Sequence, residues 1–434
     1  MRRWGRNEAF ARAAGTSHVE HKIMRILLIN HYAGSERHGM EFRPHRFATR
    51  WQETGHDVTI MAGTYSHLRN TNPAASQTVR EEQVGAVRFR WIPTRQYAGN
   101  GLARIGSMWD FVCGLRRESK GFLRWWIPDV VIASSTYPFD IYPARAIARQ
   151  SGAKLIWEVH DLWPTTPMAI GGYSRWHPFI VATQFAEDAC CKHADCVVSI
   201  LPHADRHLIT RGMHPSRYCH IPNGIDSQAS LTRDQSTMSA IPAIESLRAA
   251  GTFVIVYAGS LTESYDLATV VSAVQELGPC FALLMIGDGP SRLALMEQVQ
   301  AHGAANVVFL PRMARHEALA HITQCDAAFV GLRSHATYQF GIGMNKIFDA
   351  MDCGVPIVAS YAASNDPVGE AGCGITVPPE SPQLLAAAIR RMALLSPDAR
   401  AAIGRRGQDF VRANHDHSIL ADRFIAVIEG ARRQ

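Results

Sequence analysis

The feature that most constrains the fold is an alternation, from Arg25 onward, of short Val/Ile-rich runs with longer stretches of helical periodicity. The first group of apolar runs is RILLIN, DVTIMA, DVVIAS, KLIWEV and CVVSI. The pattern restarts near Thr252 with FVIVYAG, FALLMIG, NVVFL, DAAFVGL, VPIVAS and GITV. Continuous apolar runs between helices are typical of parallel strands buried on both faces. The sequence therefore predicts an α/β fold with two doubly wound domains.

The domain boundaries follow from a turn-rich stretch between the two groups, IPNGIDSQASLTRDQSTMSAIP. We expect a Rossmann-like domain over 24–222, a hinge and linker over 223–251, and a second Rossmann-like domain over 252–412. Two such sheets beside a hinge face each other across a cleft. Residues 413–434 hold a last predicted helix, Ser418 to Ile428, which is a candidate to return to the first domain. Residues 1–23 are basic, lack the apolar core of a signal peptide, and are expected to be a disordered extension before Met24.

Composition excludes several classes of protein. With 434 residues, 47% of them hydrophobic, the chain is long and apolar enough for packed cores. A formal charge of +6 without lysine-rich blocks is typical of neither nucleic-acid arms nor tails, and instead suits anionic small molecules or lipid headgroups. No apolar run approaches the roughly 20 residues of a membrane span. Nine cysteines without disulfide spacing indicate a reducing cytoplasm.

One cluster, Cys190, Cys191, His193 and Cys196, has side chains that bind zinc. Neighbouring residues on a helix cannot all face one ion, and no second half of such a site is visible. We interpret these cysteines as the packing face of a helix, and we expect no metal.

The stretch GIGMNKIFDAMDCGVPIVAS, Gly341 to Ser360, predicts a loop, a short helix and a strand. Asn345 is a candidate N-cap, Lys346 places a positive charge beside it, and Asp349 lies one turn further along the same face. The N–H groups of a helix start attract an anion, and a carboxylate one turn in accepts hydrogen bonds from sugar hydroxyls. An ordinary loop-helix-strand connection is the alternative.

Polar or glycine-rich loops follow five predicted strands, and in open α/β sheets ligands bind at this end of the strands. These loops begin HYAGSERHGMEFRPHRF, HDLWP, SLTES, DGP and, after DAAFVGL, the Gly341 stretch. No GxGxxG follows the first strand and no GxxxxGK[ST] occurs, which disfavours dinucleotide dehydrogenases and P-loop kinases.

Taken together, EVHDLWP, IPNGID, YAGSL, IGDGP and NKIFDAMDCGVPIVAS, in this order and spacing, resemble the GT-B fold glycosyltransferases of retaining family 4. The likeness extends from about Met24 to about Arg412 and is strongest to the bacterial branch that serves O-antigen, capsule and exopolysaccharide synthesis. The resemblance implies transfer of a sugar from a nucleotide diphosphate, with retention of configuration and without a metal cofactor. The absence of an Asp-x-Asp motif agrees with the last point.

The resemblance also implies a donor site in the second domain. Lys346 and Arg333 are candidates to neutralise the diphosphate, although Arg333 could equally be a solvated loop arginine. Asp349 stands where the family has a glutamate that holds the donor ribose. Gly341 stands where the family has a sugar-contacting glutamate, and the usual Arg and Lys after the first strand of this domain are replaced by Ser260 and Tyr265. These departures weaken the expected diphosphate clamp.

His160, at the end of KLIWEV, matches the family position of a histidine that contacts the donor sugar. Glu158 and Asp161 flank it and are candidates to orient or charge it. The alternative is a structural histidine at a strand end. The resemblance implies a front-face reaction in which the leaving phosphate accepts the acceptor proton, and we expect His160 to position the sugar in it.

The resemblance implies that the acceptor binds in the first domain, and we expect it at the loop after the first strand. Its candidates are His31, Glu41, Arg43 and His45, while Gly39 allows backbone to approach the donor phosphates. Glu41 and Arg43 could instead form a local capping pair.

Peripheral membrane contact is predicted for LARIGSMWDFVCGLRRESKGFLRWWIP, which interleaves basic residues with aromatics. A helix that packs its aromatics inward and leaves its arginines in water is the alternative.

The leading hypothesis is a cytoplasmic, membrane-associated glycosyltransferase that binds a nucleotide sugar and a lipid-linked glycan and does not bind nucleic acid. A nucleotide-sugar 2-epimerase shares the architecture, but it needs a carboxylate pair around the sugar ring, and the glutamate missing at Gly341 disfavours it. A non-catalytic nucleotide-sugar-binding protein is the third possibility.

Overall fold

The computed structural model describes residues 22–40, 42–99, 101–227, 242–301, 303 and 306–432. Of the predicted extension at 1–23, residues 1–21 lie outside these ranges, and of the predicted linker at 223–251, residues 228–241 do.

The first sheet has eight strands in the order β3-β4-β2-β1-β5-β6-β7-β8. These strands are β1 (Arg25–Ile29), β2 (Asp57–Gly63), β3 (Arg80–Val84), β4 (Val87–Ile92), β5 (Val130–Ala133), β6 (Lys154–Val159), β7 (Cys196–Ser199) and β8 (Tyr218–His220). All neighbours are parallel except β3 and β4, which form an antiparallel hairpin at one edge. In the centre, Ile26 of β1 pairs with Val58 of β2 and Val130 of β5.

Helices cover both faces of this sheet because its strands are apolar on both sides. The helices are α1 (Arg43–Glu53), α2 (Leu102–Phe122), α3 (Ile141–Ser151), α4 (Thr165–Gly171), α5 (Pro178–His193) and α6 (Asp205–Thr210). One buried cluster packs Leu27 and Val131 with α2, α3 and α5, and a second packs Ile26 and Val58 with α1.

The second sheet has six strands, all parallel, in the order β11-β10-β9-β12-β13-β14. They are β9 (Phe253–Ala258), β10 (Phe281–Ile286), β11 (Val307–Leu310), β12 (Ala327–Gly331), β13 (Ile357–Ser360) and β14 (Gly374–Val377). Its helices are α7 (Pro242–Ala249), α8 (Leu267–Leu277), α9 (Arg292–Ala301), α10 (Arg315–Ile322), α11 (Asn345–Asp352), α12 (Pro367–Ala371), α13 (Pro382–Ala393) and α14 (Pro397–Asn414). The fold is thus the predicted pair of doubly wound domains.

The last helix, α15 (His417–Gly430), leaves the second domain and packs on α1 of the first. Phe424 is buried there, with its ring 5.4 Å from the Trp51 ring in an edge-on arrangement. Trp51 Nε1 donates to the Ala421 carbonyl at 2.9 Å. Within the described ranges, no helix is long and apolar enough to cross a membrane.

Candidate functional site

The first-domain side of the candidate site is His160, which directly follows β6 and has a side chain only 11% exposed. Its Nε2 lies 2.9 Å from Ser134 Oγ, and that hydroxyl donates its proton to Glu158 Oε2 at 2.6 Å. Because the serine has one proton to give, Nε2 must carry the hydrogen in the bond to Ser134. This assigns the tautomer and leaves Nδ1 as the lone-pair nitrogen when the ring is neutral.

Glu158 is fixed by Arg43, whose Nε donates to Glu158 Oε1 at 2.9 Å. Both side chains are buried, and Arg43 also donates to the carbonyls of Ile221 and Pro222. Burial alone would raise the pKa of Glu158, but Arg43 and His160 together hold it well below its usual range. The structure thereby corrects the acceptor-side prediction for Arg43, because its guanidinium is engaged in these buried hydrogen bonds.

The second-domain side is α11, which begins at Asn345. The predicted N-cap is wrong: Met344 occupies that position without a side-chain hydrogen bond, and Asn345 is the exposed first residue of the helix. The N–H groups of the first turn therefore lack the expected side-chain cap.

Gly341, in the loop before α11, has a left-handed φ of 95°. A Cβ at this position would lie 2.5 Å from the ring of Pro202 in the first domain. A glutamate could not occupy this position without moving one domain, which gives a physical reason for the departure from the family pattern.

Lys346 extends from the first turn of α11 toward the loop after β9. Burial lowers the pKa of Lys346 to about 7, while the Asp349 carboxylate opposes this shift. Ser260 lies exposed in the same loop, and its carbonyl accepts from Tyr257 Oη at 2.6 Å. Lys346 therefore reaches the loop that carries Ser260, and the donor-binding role of both residues stays a prediction.

Asp349 has a partner that the sequence did not reveal. Arg315, the first residue of α10, donates to Asp349 Oδ1. Arg46 of the first domain lies close enough that, after burial, the charge of Arg315 lowers the pKa of Arg46. The Asp349 carboxylate thus lies at the junction of the two domains. The pairing spans 34 residues of sequence and no local pattern signals it.

Contacts between the domains place the two sides opposite each other. The His203 N–H donates to the Phe340 carbonyl at 3.0 Å, and Asn223 Nδ2 donates to the Gly343 carbonyl at 2.8 Å. Helix α4, which follows the His160 loop, contacts the turn Ala336–Phe340. The loop that carries His160 and the loop that leads into α11 therefore border one cleft.

Two family profiles match the chain in the same order as its domains. Residues 38–224 match the family described as Glycosyl transferase 4-like domain, and residues 252–394 match Glycosyl transferases group 1. The chain belongs to the GT-B superfamily of glycosyltransferases. No curated protein sequence matches this glycosyltransferase significantly.

Solved GT-B structures resemble this glycosyltransferase along nearly its full length. HepE from Anabaena, in complex with UDP and glucose, is 15% identical with a TM-score of 0.64, over 94% of this chain and 100% of its own. Sucrose-phosphate synthase from Thermosynechococcus elongatus is 17% identical with a TM-score of 0.69, over 94% and 98%. The trehalose 6-phosphate synthase of Burkholderia multivorans is 15% identical with a TM-score of 0.66, over 94% and 98%. These likenesses show the fold.

One further acceptor-side candidate of the glycosyltransferase is buried inside the first domain. His31 is fully buried, stacks between the rings of Tyr32 and Phe111, and its Nδ1 lies 2.6 Å from Tyr137 Oη. Burial and the charges of Arg69 and Arg104 hold the pKa of His31 well below its usual range. The acceptor-side prediction for His31 is corrected, because the imidazole is a neutral part of an aromatic cluster.

The remaining candidates in the loop after β1 are His45, Glu41 and Gly39. His45 is half-buried against the Phe89 ring of β4, at 5.8 Å, and Glu41 lies outside the described residues. Gly39 forms a backbone bridge with Arg69, and a Cβ there would lie 2.9 Å from the Asn70 nitrogen. Packing explains this glycine, and its contact with donor phosphates stays a prediction.

Arg69 is a further residue that sequence reasoning missed. Its guanidinium is buried and donates to the carbonyls of His31, Ala33 and Gly63, so that it ties together the loops after β1 and β2. Burial lowers the pKa of Arg69 to about 9.

Arg333 is engaged in ion pairs with Glu263 and with Glu380, the latter at 3.0 Å, and half of its side chain is exposed. The structure thus favours the alternative of a solvated loop arginine over a diphosphate ligand.

The cysteine cluster packs as expected. Cys190 and Cys191 of α5 lie in the apolar core, where burial raises the pKa of both thiols. In the described part of the chain, no group of three or more His, Cys, Asp or Glu side chains is arranged to hold a metal ion.

The predicted membrane-contact segment comprises α2 and the residues that follow it. Some of its aromatic side chains pack inward and others are exposed. Phe111, Phe122 and Trp126 are buried, whereas Trp109 and Trp125 are 68% and 52% exposed. The indole of Trp125 lies under the guanidinium of Arg90, 5.2 Å from the ring centroid. Only part of the predicted membrane-facing aromatic set is therefore available at the surface.

Proposed function

We propose that this glycosyltransferase moves a sugar from a nucleotide diphosphate, bound at α11, to a lipid-linked or polysaccharide acceptor bound at the first domain. The main support for the proposal is the environment of the Lys346 ammonium. It is largely buried, and among the described residues its Nζ makes no hydrogen bond. A buried cation with unused N–H donors at a helix start is suited to a diphosphate. HepE, which shares the fold, binds UDP and glucose.

The proposed mechanism retains the anomeric configuration. Lys346 and the N–H groups at the start of α11 stabilise charge on the leaving diphosphate, and Asp349 accepts from a ribose hydroxyl. His160 borders the sugar from the opposite side of the cleft, with its ring fixed by Ser134 and Glu158. The acceptor oxygen attacks on the face that the diphosphate leaves, and a phosphate oxygen takes its proton.

No divalent metal is required in this proposal. The chain has no Asp-x-Asp to hold one against the diphosphate, and the charge is balanced by the ammonium and the helix amides. Removing one such preorganised donor typically lowers kcat by about 10²- to 10³-fold.

We also propose that the enzyme works on the inner face of the plasma membrane. In support, the first domain exposes Leu102 and Trp109 on α2, and Ile170 and Trp176 around α4. Aromatic and aliphatic side chains at the surface suit the interfacial region of a bilayer, where a lipid-linked acceptor resides.

The test is release of nucleoside diphosphate and labelling of acceptor by purified protein supplied with nucleotide sugars and polyprenyl-linked acceptors in vesicles. We expect transfer, with at least a 100-fold loss in His160→Ala and Lys346→Ala. Lys192→Ala, which removes an exposed lysine of α5, is the matched control and should transfer normally.

Two outcomes would contradict the proposal. Conversion of the donor sugar to its 2-epimer would show the epimerase instead. Tight donor binding without turnover on any acceptor would show a binding protein.

A further inference from the structure

The side chain of Lys346 is enclosed by aromatic rings of its own domain. Its Nζ lies 3.0 Å from the centroid of the Tyr265 ring and 5.2 Å from that of Tyr257. Tyr257 belongs to β9, and Tyr265 ends the short turn Glu263–Tyr265 that follows it.

A third wall of this enclosure is backbone. A Cβ at Gly259 would overlap Lys346 Cε, so that only glycine lets the lysine pass. Gly259 also has a φ of 148°, which side-chain-bearing residues rarely adopt. The strand, its loop and the turn therefore form a fitted channel around one side chain.

The titratable groups that face the ammonium within the described ranges are the phenols of Tyr257 and Tyr265 and, on α11 itself, the carboxylate of Asp349. Burial raises the pKa of both phenols, so the rings are neutral at physiological pH. Asp349 is already paired with Arg315. The close contact of the Lys346 ammonium is thus the π face of Tyr265. This face attracts a cation electrostatically but is not a conventional hydrogen-bond acceptor for its N–H groups.

We propose that Tyr265 is a positioning residue that holds the Lys346 ammonium in place for the diphosphate of the donor. The inference rests on the proposed function, since it assumes that a diphosphate binds at α11. Tyr265 stands in a loop position where related enzymes were expected to carry a cation, and its ring compensates by directing the Lys346 ammonium.

A purely structural tyrosine is the competing explanation, because the Tyr265 ring also contacts both apolar clusters of the domain. The two explanations differ in what happens to the proton of Lys346. Burial lowers the pKa of Lys346 to about 7 in the free protein, and a bound diphosphate raises it. Binding at pH 8 should therefore take up nearly one proton, of order 0.9, and binding at pH 6 almost none.

The experiment is calorimetric titration in buffers of different ionisation enthalpy, from pH 6 to 8.5. The ligands are inorganic pyrophosphate and whichever of UDP, GDP, ADP and dTDP binds most tightly. Tyr265→Phe keeps the ring and should bind as the wild type does. Tyr265→Leu keeps apolar bulk without the π face, and should bind both ligands about tenfold more weakly.

Proton uptake separates the explanations. Without the π face the free ammonium is less stable, so its pKa falls further and uptake at pH 7 rises in Tyr265→Leu. A structural role would weaken binding and leave the pH dependence of uptake unchanged. If Tyr265→Leu does not fold, Tyr265→Met serves in its place.

A double-mutant cycle with Lys346→Met gives a second criterion. If Tyr265 acts through Lys346, the leucine substitution should cost nothing further in the Lys346→Met background. Equal affinity and equal proton uptake in the leucine and phenylalanine variants would overturn the proposal. If the wild type bound none of these ligands, the proposed function would fail, and the role of Tyr265 with it.

Discussion

At the scale of single residues, the chain from Arg43 through Glu158 and Ser134 to His160 determines what the candidate histidine can do. Arg43 and Glu158 form a buried ion pair at 2.9 Å. The Ser134 hydroxyl connects this pair to His160, because it donates to Glu158 and accepts from Nε2 of His160. The imidazole is therefore held in one orientation and one tautomer before any ligand arrives.

Glu158→Gln should be strongly destabilising, because it leaves the Arg43 guanidinium buried without its counter-charge. We expect a loss of about 3–5 kcal/mol in the free energy of unfolding, measured in urea at pH 7. Glu36→Gln, which alters a carboxylate that is 71% exposed, is the control and should change little.

The pH dependence follows from the same pair. The folded pKa of Glu158 lies below its unfolded value of about 4.3, so its contribution is present above that pH and is lost as the pH falls toward the folded value. Wild type should therefore lose stability on acidification by a larger margin than Glu158→Gln does. Parallel stability profiles for the two proteins would contradict this assignment.

Lys346 and Asp349 are expected to recognise different parts of the donor. Lys346→Met should weaken binding of both a nucleoside diphosphate and inorganic pyrophosphate, since both present the diphosphate. Asp349→Asn should weaken binding of the nucleoside diphosphate by about tenfold or more beyond its effect on pyrophosphate, because only the nucleotide loses a charged acceptor for ribose. Calorimetric titration checks both; equal losses for the two ligands in Asp349→Asn would exclude the ribose role.

Sequence motifs placed some candidate site residues on one helix turn and misassigned others, for a physical reason. Lys346 and Asp349 share a helix turn, which spacing along the chain reveals. His31 contacts Tyr137 and Arg43 contacts Glu158 in the interior, and each partner is more than 100 residues away in sequence. Lys346 likewise contacts Tyr265 across 81 positions of sequence. No local pattern encodes such contacts.

At the scale of secondary structure, α15 is the element that joins the end of the chain to its beginning. Leu420, Phe424 and Ile428 are buried against α1 and the first sheet, and Lys154 Nζ donates to the Ile428 carbonyl at 2.6 Å. The second domain is therefore connected to the first by α15 as well as by the linker.

Phe424→Ala should destabilise the first domain although the residue follows the second domain in sequence. Removing a fully buried ring of this size typically costs about 3–5 kcal/mol. Ile419→Ala, in the same helix but 37% exposed, is the matched control with a much smaller loss. Thermal unfolding of both variants measures the difference, and equal melting temperatures would show that α15 does not stabilise the first domain.

The strands show which elements sequence patterns can reveal. Buried parallel strands such as β1 and β9 are continuous apolar runs and were predicted. The edge hairpin of β3 and β4 was not, because β3 reads REEQV and is largely exposed, so no apolar run marks it. Edge strands commonly carry charged side chains, which discourage pairing with another chain and remove the apolar signal.

At the scale of the whole molecule, the cleft is set by a few close contacts between the domains. The Gly341 backbone lies against Pro202, and neighbouring hydrogen bonds link Phe340 to His203 and Gly343 to Asn223. The distance between the His160 and α11 sides of the site therefore depends on this small contact.

Gly341→Ala should displace the domains, since its Cβ would meet Pro202 at 2.5 Å. We expect sugar transfer to fall by about tenfold or more, because small misplacements of reacting groups are costly. Gly354→Ala introduces a Cβ at a similar left-handed φ of 68°, but its nearest neighbour would be 3.5 Å away. It controls for backbone strain without the clash.

Small-angle scattering on the two alanine variants would show whether the domain arrangement changed. An unchanged transfer rate in Gly341→Ala, together with wild-type scattering, would mean that this contact does not set the cleft.

The central claim is that α11 binds the diphosphate of a nucleotide sugar across the cleft from His160. It is tested most directly by a crystal structure of the protein with the most tightly bound nucleoside diphosphate. We expect a diphosphate oxygen at about 2.7–3.2 Å from Lys346 Nζ and a ribose hydroxyl on Asp349. A nucleotide bound elsewhere, or one that leaves Lys346 without a phosphate contact, would contradict it.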